Sequence, residues 1–365
     1  MDPDDSLLPP RVRLVVLFGG QSAEHDVSRV SAREVLSALD RTRYEIVPIA
    51  IGRDGRWMDA VGTRELLDAG GPLPPPALDA SGPPVDLLPT LRPLVEAQPD
   101  AVPTVVFPVL HGPMGEDGTI QGLLELCDVP YVGSGVLGSA LAMDKAKAKE
   151  VLAAAGVPQA RWRSAHAAQI DAGFLADAAG ELGFPIFVKP ANMGSSVGVT
   201  RVADATTLLD AVKLALTHDE WIVLEESVRG RELEIGVLGG TSLATSVIGE
   251  VVPGAEFYDY EDKYVHGKAT IIIPADLEPA VADEISQLAT VAFRALRAEI
   301  LGRADFFLAD DGRVIFNELN TLPGCTPISM FPSLWAATGL DYPALLDELI
   351  RLALARHRRQ RSYRS

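Results

Sequence analysis

The sequence predicts an α/β protein built in three units, and three observations predict it. Strand-length apolar runs alternate with helix-period stretches through the first third, as in a sheet flanked by helices. A length of 365 residues allows two or three domains at roughly 100–200 residues each. An Asp-Gly pair near the C-terminal end sits between two apolar runs, the signature of a β-hairpin.

In chain order, Arg13–Phe18 reads as a buried strand, followed by Gly19-Gly20 and a helix carrying Val27, Val30, Val35, Leu36 and Leu39 at helical spacing. Further strands are expected at Ile46–Ile51 and Thr104–Leu110, giving a parallel α/β unit. Between them the proline-rich stretch Gly70–Pro93 reads as a surface excursion. One long helix is expected from Val136 to Ala155, closed by Gly156 and Pro158. Strands at Pro185–Pro190, Gly198–Val202 and Trp221–Glu226, with a helix over Thr206–Thr217, make a second unit. The third has strands at Glu232–Leu238, Thr245–Val252 and Thr270–Ile273, a helix on Val281, Ile285, Leu288, Phe293 and Leu296, the hairpin Arg303–Asn320, and a last helix over Ala344–Ala355. The expected boundaries are a disordered N-terminus at 1–11, units at 12–133, 134–225 and 226–356, and a basic tail at 357–365. Six arginines and no acid between Arg351 and Ser365 read as a solvated, frayed helix end.

Composition excludes several function classes. With 32 Lys+Arg against 50 Asp+Glu the net charge is −18, the wrong sign for a protein whose main partner is nucleic acid. No run of 18 apolar residues occurs, so no membrane span is expected. The acidic Met1–Asp5 start is unlike a signal peptide, and Cys127 and Cys325 lie far apart. Reduced thiols in a cytoplasmic protein are expected.

The hairpin carries the most chemical information. A two-residue turn at Asp311-Gly312 makes the numbers of paired residues add to 623, so Asp305 faces Glu318 and Arg303 faces Asn320. Alternation puts all four on one face. Two carboxylates and an amide beside a guanidinium suit a hard cation such as Mg²⁺ together with phosphate oxygens. The alternative is a pair of cross-strand salt bridges on a solvated face. Phe306, Phe307, Phe316 and Leu319 make the hairpin apolar on both sides, which favours the cation.

Lys189-Pro190-Ala191-Asn192-Met193-Gly194-Ser195-Ser196-Val197-Gly198 joins two strands and offers backbone N–H groups, hydroxyls and an ammonium to an anion. Gly194–Gly198 also matches the G-x-S-x-G nucleophile elbow, but that reading requires a helix directly after the serine, where a strand is expected. Glu225 and Glu226, at the end of an apolar strand, are candidates to accept from an adenine amino group or ribose hydroxyls.

Five motifs occur in order: Phe18–Glu24 (Phe-Gly-Gly-Gln-Ser-Ala-Glu), His111-Gly112 with Gly115-Glu116-Asp117-Gly118, the Lys189 loop, Tyr258–Tyr264 (Tyr-Asp-Tyr-Glu-Asp-Lys-Tyr) and Asn317–Gly324 (Asn-Glu-Leu-Asn-Thr-Leu-Pro-Gly). Together they resemble the D-alanine–D-alanine ligases of the ATP-grasp superfamily, over about Arg13 to Arg356. The resemblance implies a three-domain ATP-grasp architecture, with ATP sandwiched by the second and third lobes. It implies ligation of two D-alanines for peptidoglycan, with ATP and two Mg²⁺ that Mn²⁺ can replace, in a cytoplasmic homodimer. The first D-alanine carboxylate would attack the γ-phosphate to give an acyl phosphate, from which the second D-alanine amine would displace phosphate.

Position by position, the resemblance makes Asp305, Glu318 and Asn320 the metal ligands. Arg303 and the Gly324 N–H would hold the transferring phosphate and developing oxyanion. Lys145, Lys189, Ser196 and Lys263 would line the nucleotide phosphates, and Glu225, Val228 and Glu232 the adenine and ribose. Glu24, Ser195 and Tyr264 would form a hydrogen-bonded triad, with Glu24 receiving the first ammonium. His111 would lie near that substrate, and Ser329 and Met330 would seat the second. Tyr264 is the choice for a dipeptide, where relatives making D-alanyl-D-lactate have histidine. Rival readings are another ATP-grasp carboxylate–amine ligase, the depsipeptide version, and a nucleotide-binding regulator without chemistry.

Asp305→Asn or Glu318→Gln is expected to lower Mg²⁺-dependent turnover by well over tenfold (steady-state phosphate release); rates near wild type would remove the hairpin-metal reading.

Overall fold

The computed structural model describes residues 8–73, 75, 77–91, 102–252 and 270–363. It is an α/β fold in which three sheets follow one another along the chain.

The first contains β1 (Val12–Gly19), β2 (Tyr44–Ile51), β3 (Trp57–Asp59) and β4 (Thr104–Val109), with α1 (His25–Ala38), α2 (Val61–Asp68), α3 (Leu87–Leu91) and α4 (Thr119–Leu126) between or after them. Its order is β3-β2-β1-β4, with β1 parallel to both neighbours. β3 pairs antiparallel with β2 at the edge, so the sheet is mixed, not parallel throughout. Alternation along β1 sends Leu14, Val16 and Phe18 into one apolar layer and Val15 and Leu17 into the other. The proline-rich excursion is anchored as well: Leu73, Leu78 and Leu91 are buried, and Arg29 Nε donates to the Leu78 carbonyl at 2.6 Å.

The helix expected over Val136–Ala155 is two helices, α5 (Val136–Met143) and α6 (Lys145–Ala154). Asp144 interrupts them in an extended conformation and accepts from the Lys147 N–H at 3.0 Å, an N-cap in mid-sequence. The break turns α6 so that the Lys145 N–H donates to the Ala191 carbonyl, beside the phosphate-loop candidate.

The second sheet is fully antiparallel, β5-β8-β6-β7, from β5 (Trp162–His166), β6 (Ile186–Pro190), β7 (Thr200–Val202) and β8 (Trp221–Glu226), covered by α7 (Ala172–Leu182) and α8 (Leu208–Ala215). The third, β11-β10-β9-β12-β13, is also antiparallel, from β9 (Gly230–Gly239), β10 (Leu243–Val252), β11 (Thr270–Ile272), β12 (Ile300–Ala309) and β13 (Val314–Asn320). α9 (Pro279–Ala295) buries Ile285, Ala289 and Phe293 against it; α10 (Met330–Thr338) and α11 (Tyr342–Ser362) follow.

The hairpin differs from its simple arithmetic in two places that cancel. Gly312 N–H donates to the Ala309 carbonyl and Ala309 N–H to the Arg313 carbonyl, so the loop has three residues, with Gly312 at φ 87°. Leu308 therefore faces Val314 and Phe306 faces Phe316. A bulge at Asn317 restores the register, and Asp305 faces Glu318 and Arg303 faces Asn320 as expected.

As far as Tyr363 the basic segment is only partly solvated, with Arg358 and Arg361 exposed. It is the end of α11, where His357 Nε2 lies 3.2 Å from Asp128 Oδ1 and Arg359 pairs with Glu299. One turn earlier the Arg356 guanidinium is buried, donates to the Gly133 and Tyr131 carbonyls, and stacks 4.0 Å from the Tyr131 ring centroid. Near the other end of α11, Asp347 accepts from Arg43 at 2.6 Å and from Tyr44. At the N-terminus, Leu8 packs against the same core, although it lies in the segment expected to be disordered. Among the described residues no helix is long and apolar enough to cross a membrane.

Arg356→Leu removes two charge-assisted bonds and strands two buried carbonyls, so it is expected to cost about 2–4 kcal/mol in urea-induced unfolding. A variant within about 0.5 kcal/mol of the parent would show the contact to be decorative.

Candidate active site

The four hairpin side chains meet as the register requires. Arg303 grips Asp305 with Nε and Nη2, both at 2.7 Å, and Asn320 Nδ2 donates to Asp305 Oδ2 at 3.0 Å. Glu234, opposite Asp305 on β9, brings Oε2 to 2.8 Å from Arg303 Nε. It was not singled out from the sequence, because the β9–β12 pairing joins segments far apart in the chain. Glu232 lies two residues earlier and so faces the same way. Burial opposes the Arg303 charge, but Asp305, Glu234 and Glu318 outweigh it and hold the guanidinium ionised, well above its ordinary value.

Among the described residues no group of three or more His, Cys, Asp or Glu stands ready to hold a metal. The hairpin donors are two carboxylates and an amide, all oxygen. That set fits an ion such as Mg²⁺ that takes the rest of its shell from phosphate oxygens and water.

Lys189, the last lysine before the loop, donates to Glu225 Oε2 at 2.8 Å. A second ammonium, Lys149 on α6, lies 3.4 Å from Glu225 Oε1 and is almost fully buried. Burial would raise Glu225, but the two lysines prevail and hold its carboxyl at about 2. Lys149 was also missed, although its spacing of four from Lys145 puts both on one face of α6. Lys145 Nζ donates to the Met193 carbonyl at 2.5 Å. The loop closes through Val197 N–H to the Gly194 carbonyl at 3.1 Å, with Ser195 and Ser196 both at positive φ, 50° and 58°. β7 begins two residues after Gly198 and no helix occurs until Leu208, so the nucleophile-elbow context is absent. Val228, between β8 and β9, packs beside Ala309 and Ile315.

Glu24, nine-tenths buried at the start of α1, accepts a hydrogen bond from Ser195 Oγ, tying the first sheet's unit to the loop. A Cβ on Gly112 would come within 2.8 Å of Glu24 Oε2, and φ there is +74°, so that position suits only glycine. His111 is buried, with Nδ1 3.2 Å from the Leu322 carbonyl and 3.7 Å from Glu116 Oε1. Glu116 is pushed up by burial and by Glu24, with His111 opposing. The sequence motif contained Glu116, but nothing in the sequence showed its side chain turned inward.

At the far end Ser329 Oγ lies 2.7 Å from Thr326 Oγ1 and 3.1 Å from where a Gly324 Cβ would stand. The Met330 side chain is buried with Val251 and Leu334 in a core cluster, and its backbone begins α10 directly after Ser329. Lys263 and Tyr264 lie outside the described residues.

The two ends open on one small cavity, lined by Glu116, Lys145, Met193, Gly194, Ser195, Glu318, Asn320 and Thr321. A larger one of about 250 Å³ lies behind His111, walled by Ile51, Trp57, Leu110, Ile120 and Leu123. Among the described residues, His111 is the one titratable side chain that lines it.

Family models described as D-ala D-ala ligase N-terminus and C-terminus match residues 13–134 and 151–351. The chain is 45% identical over 359 residues to a D-alanine–D-alanine ligase of Bacillus cytotoxicus, covering 95% of this chain and 97% of the relative. It is 47% identical over 359 residues to a D-alanine–D-alanine ligase A of Mesorhizobium japonicum, covering 95% and 99%. Among solved structures, the D-alanine–D-alanine ligase of Coxiella burnetii matches with TM-score 0.80 at 35% identity over 97% of each chain. A D-Ala:D-Ser ligase of Enterococcus faecalis matches with TM-score 0.78 at 31% identity, over 94% and 99%.

Glu225 sits below its ordinary 4.5, so its contribution to stability is full above about pH 4.5 and is lost as pH falls towards 2. Unfolding free energy between pH 5 and 3 is expected to fall less steeply in Glu225→Gln than in the parent; equal slopes would count against the buried pairing.

Proposed function

The chain belongs to the D-alanine–D-alanine ligase family, and on that premise we propose how its cleft carries out the reaction. The enzyme joins two D-alanines to D-alanyl-D-alanine with ATP, for peptidoglycan synthesis. The observation that carries the site reading is the shared cavity, where Ser195, bonded to Glu24, and the hairpin's Glu318 and Asn320 line one space.

In this reading the architecture is ATP-grasp, and ATP lies between the second and third sheets. Glu225, Val228 and Glu232 receive the adenine and ribose, and Lys145, Lys189, Ser196 and Lys263 the phosphates. Glu24 takes the ammonium of the first D-alanine, with Ser195 and Tyr264 completing its hydrogen bonds and His111 beside it. That fixes the carboxylate towards the γ-phosphate, and positioning of this kind supplies much of the rate in phosphoryl transfer.

A carboxylate oxygen attacks the γ-phosphorus, the bond to the β–γ bridging oxygen breaks, and ADP leaves. The amine of the second D-alanine, seated near Ser329, then attacks the acyl carbon. The C–O bond to phosphate breaks and the amine loses a proton. Arg303 and the Gly324 N–H face the oxyanion of that step. Arg303 stays charged throughout because Asp305 and Glu234 hold it so. Asp305, Glu318 and Asn320 would hold Mg²⁺, which when bound offsets charge building on the phosphate oxygens. An all-oxygen set also accepts Mn²⁺, and two ions accord with the family. A homodimer in the cytoplasm accords with the family too. Cys127 and Cys325, both buried and not joined in a disulfide, suit a reducing compartment.

Phosphate release from ATP and Mg²⁺ is expected with D-alanine and not with L-alanine, and mass analysis should identify D-alanyl-D-alanine. A depsipeptide made in preference from D-alanine plus D-lactate would overturn the reading of Tyr264. No amino-acid-dependent release would overturn the site assignment.

A further inference from the structure

Glu225 has two ammonium groups on it, and they are not equivalent. Lys189 donates to Oε2 at 2.8 Å, and 17% of its side chain is exposed where the strand meets the Gly/Ser loop. Lys149 faces Oε1 at 3.4 Å with 4% exposed. At that separation it acts on Glu225 chiefly as a charge, where Lys189 makes a short hydrogen bond. Its helix is pinned, since Gln159 Nε2 donates to the Lys149 carbonyl at 3.1 Å. Lys149 and Glu225 are both almost fully buried. A buried carboxylate without a counter-charge is costly, and so is a buried ammonium.

The nucleotide reading asks Lys189 to do two things. It holds Glu225 in this structure, and it is assigned to a phosphate when nucleotide is bound. We propose that Lys149 is a positioning residue, the permanent counter-charge of Glu225, which lets Lys189 turn to the nucleotide's phosphates without stranding a buried carboxylate. The inference rests on the assignment of Lys189 and Glu225 to the nucleotide site. It assigns Lys149 no contact with the nucleotide.

The consequence is selective. Without the Lys149 charge, Lys189 is retained by Glu225, and ligands that need Lys189 lose affinity while the nucleoside alone does not. In the full-length enzyme at fixed Mg²⁺, Lys149→Met is expected to raise the Kd for ADP at least tenfold and to leave that for adenosine within threefold. In a Glu225→Gln background, where no carboxylate remains to be stranded, the same substitution is expected to change ADP affinity less than threefold. Equal losses for ADP and adenosine would overturn the proposal in favour of a structural role. So would an ADP loss that persists in full beside Glu225→Gln. Thermal unfolding checks each variant, and Lys149→Gln carries the same comparison if Lys149→Met does not fold. Lys189→Met separates this failure from that of the underlying reading: unchanged ADP affinity there would remove the phosphate role of Lys189, and the proposal with it.

Discussion

The chemistry of this molecule hangs on the register of one β-hairpin. Side chains alternate along a strand, so a slip of one residue would turn Asp305 and Arg303 away from Glu318 and Asn320. The loop after Ala309 is one residue longer than the shortest turn, and by itself that produces such a slip. The bulge at Asn317 takes it back before the polar cluster is reached. Phe306 and Phe316, packed edge to face at 5.3 Å, lie between the two irregularities. The register of β9 on the other side of β12 then adds Glu234 to the same guanidinium.

Around this hairpin the buried charges come in mutually dependent groups. Arg303 lies among carboxylates, and Glu225 lies between two lysines. Each group is stable because removing one member would leave the others uncompensated in a low dielectric. A chain with a net charge of −18 thus keeps its buried or half-buried basic groups Arg303, Lys149 and Lys189 against carboxylates. The Arg303 group is already paired in this structure, whereas the Glu225 group has one partner, Lys189, near the surface and one, Lys149, that is buried.

Much of this was legible in the sequence, for reasons that differ by residue. Arg13–Phe18 had to be a strand because nothing else buries such a run in so short a length, and Asp311-Gly312 marked the turn that brings Arg303 to Asn320. Asp144 shows where local reading stopped short. Apolar periodicity runs through Val136–Ala155, but one capping side chain ends a helix there. Glu234 and Lys149 were beyond reach because their meaning comes from β9–β12 and α6–β8 packing, which no local pattern encodes. Position in a motif does not say which way a helical side chain turns, and that of Met330 turns into a core cluster. Lys263 and Tyr264 fall outside the described residues, so their parts in the site stand on resemblance alone.

The seating of α11 bears on how the chain is made. Leu345, Leu346, Leu349, Ile350, Ala353 and Leu354 complete the apolar layer begun by Val12, Leu14, Val16 and Phe18. That face of the first sheet, covered in part by Ala32, Val35 and Leu36 of α1, is therefore completed only when α11 has been made. Contacts such as Arg43 to Asp347 close a loop of about three hundred residues, and long closures of this kind slow folding and leave surfaces open to misassociation. The first unit to be synthesised is among the last to be finished, and a nascent chain arrested before Leu345 would leave the part of that face which α11 covers as a surface for chaperones to hold.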